Sequence, residues 1–143
     1  MNQINLNEKM TDLVNYFKNH EAIATVYLFG SYGSPSFNPD LSDIDLAILF
    51  NRNLSLKEEL LIDANVSLIL ESDNYDLVNL NKTRIDISYH VLATGTIIYE
   101  MDHIKTADFV EITLKHYFDH GLVLEKMKED TLVVIKENSN HRD

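Results

Sequence analysis

The chain contains no cysteine, so neither a disulfide nor a thiolate metal site can form. It has no apolar run of the ~18 residues that a membrane-spanning helix needs. Its first residues, MNQINLNEKM, lack the basic-then-apolar order of a signal peptide, so the cytoplasm is the expected compartment. Lys and Arg are scarce: 12 basic residues face 23 acidic ones, for a formal net charge of -11. Gripping a nucleic acid requires cations against its phosphates, and no basic cluster supplies them. Direct binding of RNA or DNA is therefore not expected, and the field suits a basic protein partner better. The GxxxxGK[ST] pattern is also missing, which excludes a P-loop NTPase.

What is present is an ordinary globular composition, 45% hydrophobic and 24% charged over 143 residues. That length fits one domain, 1-143, with one sound core. Repeats, linkers and low-complexity segments are absent. Leu6, Met10, Leu13, Val14 and Phe17 fall at helical spacing and predict a helix from about Asn7 to His20. Two apolar runs, Ile23 to Phe29 and Ile44 to Phe50, read as strands. Between them, Gly30 to Leu41 has the composition of a loop.

Ser55 and Glu58 form a capping-box pair and predict a helix to about Leu70, with Leu56, Leu60, Leu61, Ala64 and Leu68 facing inward. Asn74 to Leu80 reads as a third strand. The stretch from Thr83 to Leu92 fits both periods and is read as a helix stopped by Gly95, before a short edge strand from Thr96 to Tyr99. Ile104, Ala107, Val110, Leu114 and Tyr117 mark a helix ended by Gly121. Another runs from Leu122 to Glu137, followed by a frayed tail. The expected fold is α/β (α+β): a small mixed sheet of three to four strands, a core over about 22-100, and C-terminal helices over about 103-137.

Chemistry concentrates in Phe29 to Phe50, FGSYGSPSFNPDLSDIDLAILF. Alternate residues of a strand point the same way, so Asp43 and Asp45 project together. Two adjacent carboxylates beside an apolar run need a cation, and magnesium, which prefers oxygen ligands, is the natural one. A third carboxylate on a neighbouring strand would make a site for two metals about 3.5–4 Å apart, the spacing of in-line phosphoryl chemistry. Asp76 takes that place if the third strand lies beside the second; Asp40 and Asp86 are rivals. The Gly30-Ser31 turn offers backbone amides and a hydroxyl to a phosphate. Arg52, Lys82 and Arg84 are candidate cations for the phosphate charge, and nothing in their spacing selects one.

A lone Asp-x-Asp is often a solvated edge, and a lone Gly-Ser is merely a turn. Their order between strands, with an acid-bearing strand to follow, favours a site. His116 and His120, four apart, lack a HExxH arrangement and read as surface histidines near a helix end. His90 and His103 stand isolated, and Tyr32 reads as a turn aromatic packed on the domain.

These residues resemble the nucleotidyltransferase superfamily that includes DNA polymerase β. Within it they are similar to the minimal nucleotidyltransferases (MNT), whose signature is Gly-Ser, about ten residues, then Asp-x-Asp. Here Gly30-Ser31 is followed by a loop one residue longer than usual and by Asp43-Ile44-Asp45. Gly33-Ser34 stand where an Arg commonly follows. YDLVNLNKT resembles the family's third-aspartate strand, which selects Asp76 over Asp86.

The resemblance implies an antitoxin of a HEPN/MNT module that transfers AMP from ATP to a tyrosine hydroxyl of a HEPN ribonuclease toxin. It implies that Asp43, Asp45 and Asp76 hold two magnesium ions and that Gly30 and Ser31 hold the β- and γ-phosphates. Transfer to an aminoglycoside-type small molecule is the second enzymatic reading. The third is a non-enzymatic antitoxin that neutralises its toxin by stoichiometric binding.

Overall fold

The structure is a computed structural model that describes residues 3–30 and 44–140. The two apolar runs form β1 (Ile23–Phe29) and β2 (Ile44–Phe50), as their β-branched and aromatic content predicts. They pair antiparallel. β3 (Tyr75–Asn79) lies parallel to β2, and β4 (Thr96–Glu100) lies antiparallel to β1. The result is a mixed four-stranded sheet in the order β3-β2-β1-β4.

Four helices cover it: α1 (Gln3–Lys18), α2 (Leu56–Leu70), α3 (Ile85–Thr94) and α4 (His103–Asn140). α1 starts before the predicted Asn7 and stops two residues short of His20. Strand alternation separates two cores. Leu46, Ile48 and Phe50 turn to one face, where Leu13 and Phe17 of α1 and Ile62 and Val66 of α2 close over them. Ala47 and Leu49 turn to the other, against Val91 of α3 and Phe109 of α4. The parallel pair β2 and β3 requires a crossover, and α2 is that crossover.

The capping box forms as predicted: Glu58 N–H donates to Ser55 Oγ at 3.2 Å, and Ser55 N–H donates to Glu58 Oε1 at 3.1 Å. The buried face of α2 differs from the prediction. Ile62, Val66 and Leu70 are buried, whereas Leu56, Leu60, Leu61, Ala64 and Leu68 face solvent. Aliphatic residues occupy two sides of this helix, so spacing alone offers two faces. Two adjacent glutamates tie this helix to the ends of the strands. Glu58 holds Arg52 at 2.7 Å and Glu59 holds Lys82 at 2.8 Å, each fixed to the loop that follows a strand. Ile62, one turn on from Glu58, faces the core, and Val66 and Leu70 follow it on the same side.

Gly95 stops α3 as expected, but its backbone is extended and not left-handed. Its missing side chain is what matters, since a Cβ there would press on the Val91 carbonyl oxygen. Gly121 does not end a helix. α4 runs unbroken through it for 38 residues, because a glycine in open space weakens a helix without breaking it. His116 and His120 therefore sit within a helix, not near its end. The tail expected to fray is helical through Asn140.

Candidate active site

β1 ends at Phe29, and Gly30 turns the chain away with φ +81, a left-handed conformation that favours glycine. Phe29 pairs with Asp45 of β2, and Asp45 pairs in turn with Asp76 of β3. Residues directly opposite in neighbouring strands share a face, and the strands lie about 4.8 Å apart. Asp45 and Asp76 thus project side by side from the face that carries Ala47 and Val78. Asp76, on the edge strand, is exposed, and Asp45 is half-buried. Ile44 and Leu46, on either side of Asp45, are buried on the opposite face.

Gly30 and Asp45 touch. A Cβ at position 30 would overlap Asp45 Oδ2 outright and lie 3.0 Å from its Cγ. The glycine is needed for its φ and for the room it leaves the carboxylate. Turn and acid are one packed unit.

Of the predicted site residues, the structure brings together Gly30, Asp45 and Asp76. Ser31 and Asp43 lie outside the described residues, as do Asp40 and Tyr32. Asp86 sits in the first turn of α3 and pairs with Arg84 at 2.9 Å, away from the strand register that joins Asp45 to Asp76. Among the described residues no cluster of three or more His, Asp or Glu could hold a metal. The donors that Asp45 and Asp76 offer are carboxylate oxygens, the chemistry that magnesium prefers.

The three candidate cations are each paired with an acid outside the site. Arg52 follows Phe50, whose partner is Ile23 at the start of β1, and it is bound to Glu21 and Glu58, both at 2.7 Å. Lys82 follows β3 at the same far end, tied to Glu59, and Arg84 is tied to Asp86. Arg52 holds the Glu58 carboxyl down to about 2, helped by the Ser55 backbone.

Two neighbours of the site escaped sequence reasoning. His90 of α3 lies edge-on to Phe29, with ring centroids 6.1 Å apart, beside the strand partner of Asp45. Nothing in its sequence spacing marks it. The second is a cleft of about 510 Å³ between α2 and the edge of β3, lined by Leu56, Leu60, Asp63, Asp73, Leu77 and Asp76 among others. Its wall is braced by Tyr75, whose hydroxyl donates to the Asp63 backbone oxygen at 2.8 Å and to its carboxylate. Burial, then the Asp63 contact, pushes the Tyr75 hydroxyl up to about 12.

Residues 11–104 match the family model described as Polymerase beta, Nucleotidyltransferase. Solved structures share the fold. A chain in the structure of tri-AMPylated Shewanella oneidensis HEPN toxin in complex with MNT antitoxin is 24% identical, with a TM-score of 0.66. That match covers 92% of this chain and 99% of that one. A chain in a toxin-antitoxin structure with AMP-PNP is 22% identical, with a TM-score of 0.68, over 87% of this chain and 96% of that one. A chain in the toxin-antitoxin MntA-HepT structure is 23% identical, with a TM-score of 0.64, over 92% and 99%. No curated protein matches. A family model matched over residues 11–104, on a four-stranded sheet that sets Asp45 beside Asp76, identifies the chain as a member of the polymerase beta nucleotidyltransferase family.

Proposed function

We propose that the chain, as one nucleotidyltransferase domain, is an antitoxin that transfers AMP from ATP to a tyrosine hydroxyl of a HEPN-type ribonuclease toxin. The observation that carries this reading is the register of Asp45 opposite Asp76, packed against the Gly30 turn. Support for the partner comes from the fold's likeness to chains in toxin–antitoxin structures, in one of which the HEPN toxin is tri-AMPylated. Support for the nucleotide comes from the structure with AMP-PNP.

In this reading Asp43, Asp45 and Asp76 would hold two magnesium ions, whose charge would offset that of the triphosphate. The amides of Gly30 and Ser31 hold the β- and γ-phosphates. The tyrosine oxygen attacks the α-phosphorus, the bond to the β-phosphate oxygen breaks, and pyrophosphate leaves. Asp76, on the exposed edge strand, accepts the tyrosine proton. Positioning of the two reactants supplies most of the rate.

The cytoplasm is the compartment this reading requires; among the described residues no helix is long and apolar enough to cross a membrane. The net charge of -11 argues against direct nucleic-acid binding. The test incubates α-labelled ATP, magnesium and the toxin with wild type, Asp45→Asn and Asp76→Asn. Label on a toxin tyrosine that disappears in both variants is expected. Full neutralisation by the variants without any label would leave stoichiometric binding as the function.

A further inference from the structure

Phe29 stands opposite Asp45, and Asp45 opposite Asp76, so the three share one face of the sheet in a row on the order of 10 Å long. α3 lies over that face, since its Val91 packs with Tyr27 and Ala47 in the second core. The helix ends at the same corner: a Cβ added at Gly95 would come to 3.5 Å from both the Leu28 carbonyl oxygen and Phe29 Cβ. His90 of α3 adjoins the row at Phe29, with ring centroids 6.1 Å apart and ring planes at 84°. Gly30, next in the chain to Phe29 and packed on Asp45, belongs to this corner too. His90 is exposed, and its ring nitrogens make no hydrogen bond or ion pair among the described residues. Its contact with Phe29 orients the imidazole without occupying those nitrogens.

We propose that His90 is a nucleotide-binding residue of this site: its imidazole donates a hydrogen bond to a terminal phosphate oxygen of the nucleoside triphosphate at the Gly30 turn. The assignment rests on the nucleotidyl-transfer reading, which puts the triphosphate there. Asp45 and Asp76 can meet a phosphate only through a cation, so the anion needs donors of its own. Arg52, Lys82 and Arg84 are already matched to acids. An imidazole carries at least one N–H in either charge state, so the donor is present whether or not the ring is charged. Packing on Phe29 asks only for a ring, and a phenyl group would serve it as well. What the imidazole adds is the N–H.

The experiment measures the binding of AMP-PNP and of AMP to the full chain by calorimetry with magnesium present, so that affinity is read apart from transfer. His90→Phe keeps a ring against Phe29 and removes the donor. It is expected to bind AMP-PNP roughly tenfold more weakly or worse, and AMP, which lacks the two terminal phosphates, within about threefold of wild type. His90→Gln returns an N–H donor and should recover most of the loss. His103→Phe, an exposed histidine paired with Glu100, is the control and stays within about threefold for both ligands. The melting temperature of His90→Phe should match that of wild type. Unchanged affinity of His90→Phe for AMP-PNP overturns the proposal. An equal loss for AMP also overturns it, because the ring then serves the nucleoside or the α-phosphate. So does a loss that comes with a lower melting temperature and is not recovered by His90→Gln, because the role is then structural. Wild type that binds AMP-PNP through His90 but labels no toxin tyrosine sinks the transfer reading and leaves the phosphate contact standing. Label transfer by His90→Phe with undiminished affinity for ATP does the reverse, and wild type that binds no AMP-PNP overturns both.

Discussion

Replacing Gly30 by Ala tests the packing of turn against acid more sharply than removing the acid itself. Two costs arise from the structure. The backbone at φ +81 is left-handed, which disfavours alanine by about 1–2 kcal/mol. The new Cβ also overlaps Asp45 Oδ2, so the carboxylate must leave its rotamer at about 0.5–1.5 kcal/mol more. Together these predict a loss of about 1.5–3.5 kcal/mol, or a melting temperature lower by roughly 5–12 °C for a chain of this size. The variant stays folded at room temperature.

Transfer should suffer far more than stability does. A reacting-centre group displaced by ~1 Å costs on the order of a hundredfold in rate. Calorimetry and label transfer, run side by side with Asp45→Asn as the floor, separate the two effects. A Gly30→Ala variant that melts lower but transfers AMP at the wild-type rate would refute the claim that the turn holds Asp45 in a working position.

Four further outcomes are expected. Asp76→Asn should melt slightly higher than wild type in magnesium-free buffer, by about 1 kcal/mol, since one of two neighbouring negative charges is gone. Magnesium should raise the melting temperature of wild type and do so less in that variant; equal shifts would remove Asp76 from the ligand set. The Glu58 carboxyl, held at about 2 in the folded chain against an ordinary 4.5, contributes stability above pH 4.5 that is lost as pH falls towards 2. Acid melts of Glu58→Gln should therefore slope less over that window. Tyr27 is buried with no hydrogen-bond partner for its hydroxyl among the described residues, and burial, then Glu100, pushes it up to about 12. Tyr27→Phe should gain about 1 kcal/mol at neutral pH and abolish the stability loss between pH 10 and 12. In Gly121→Ala, whose methyl meets open space, α4 should strengthen by about 1 kcal/mol, read as slower amide exchange around position 121.

The strands were legible because their evidence is local. Ile23–Phe29 and Ile44–Phe50 are apolar, branched and bounded by turn residues, and both came out with the predicted ends. The Ser55–Glu58 box was legible for the same reason, as each partner lies within one helical turn of the other. The facing of Asp76 to Asp45 was written only conditionally, because nothing in a sequence states which strands are neighbours. The orientation of α2 was not legible at all. Its buried face is set by the packing of Ile62, Val66 and Leu70 on residues distant in the chain, among them Leu13, Leu46 and Ile48. Arg52 and Lys82, two of the three cations among which spacing selected none, are tied to Glu58 and Glu59: spacing counts charges and cannot see which are already matched. Gly121 was misread from the opposite side. A glycine does not by itself end a helix, and a Cβ at this one would meet only open space.

The length of α4 has a mechanical consequence. Its first turns are fastened to the domain by the buried hydroxyl pair Thr106–Thr25 at 2.7 Å and by Phe109 in the second core. Farther along, Tyr117 stacks on Tyr89 of α3 with centroids 3.7 Å apart. Beyond that stack the helix continues to Asn140, roughly 35 Å at 1.5 Å per residue. Treated as a rigid rod, it has the two tyrosine rings as its pivot. A tilt of about 5° there carries the far end about 3 Å, the difference between a hydrogen bond and a gap. Repacking Tyr89 or Tyr117 would thus be felt most strongly at the tip of the arm, far from the rings themselves.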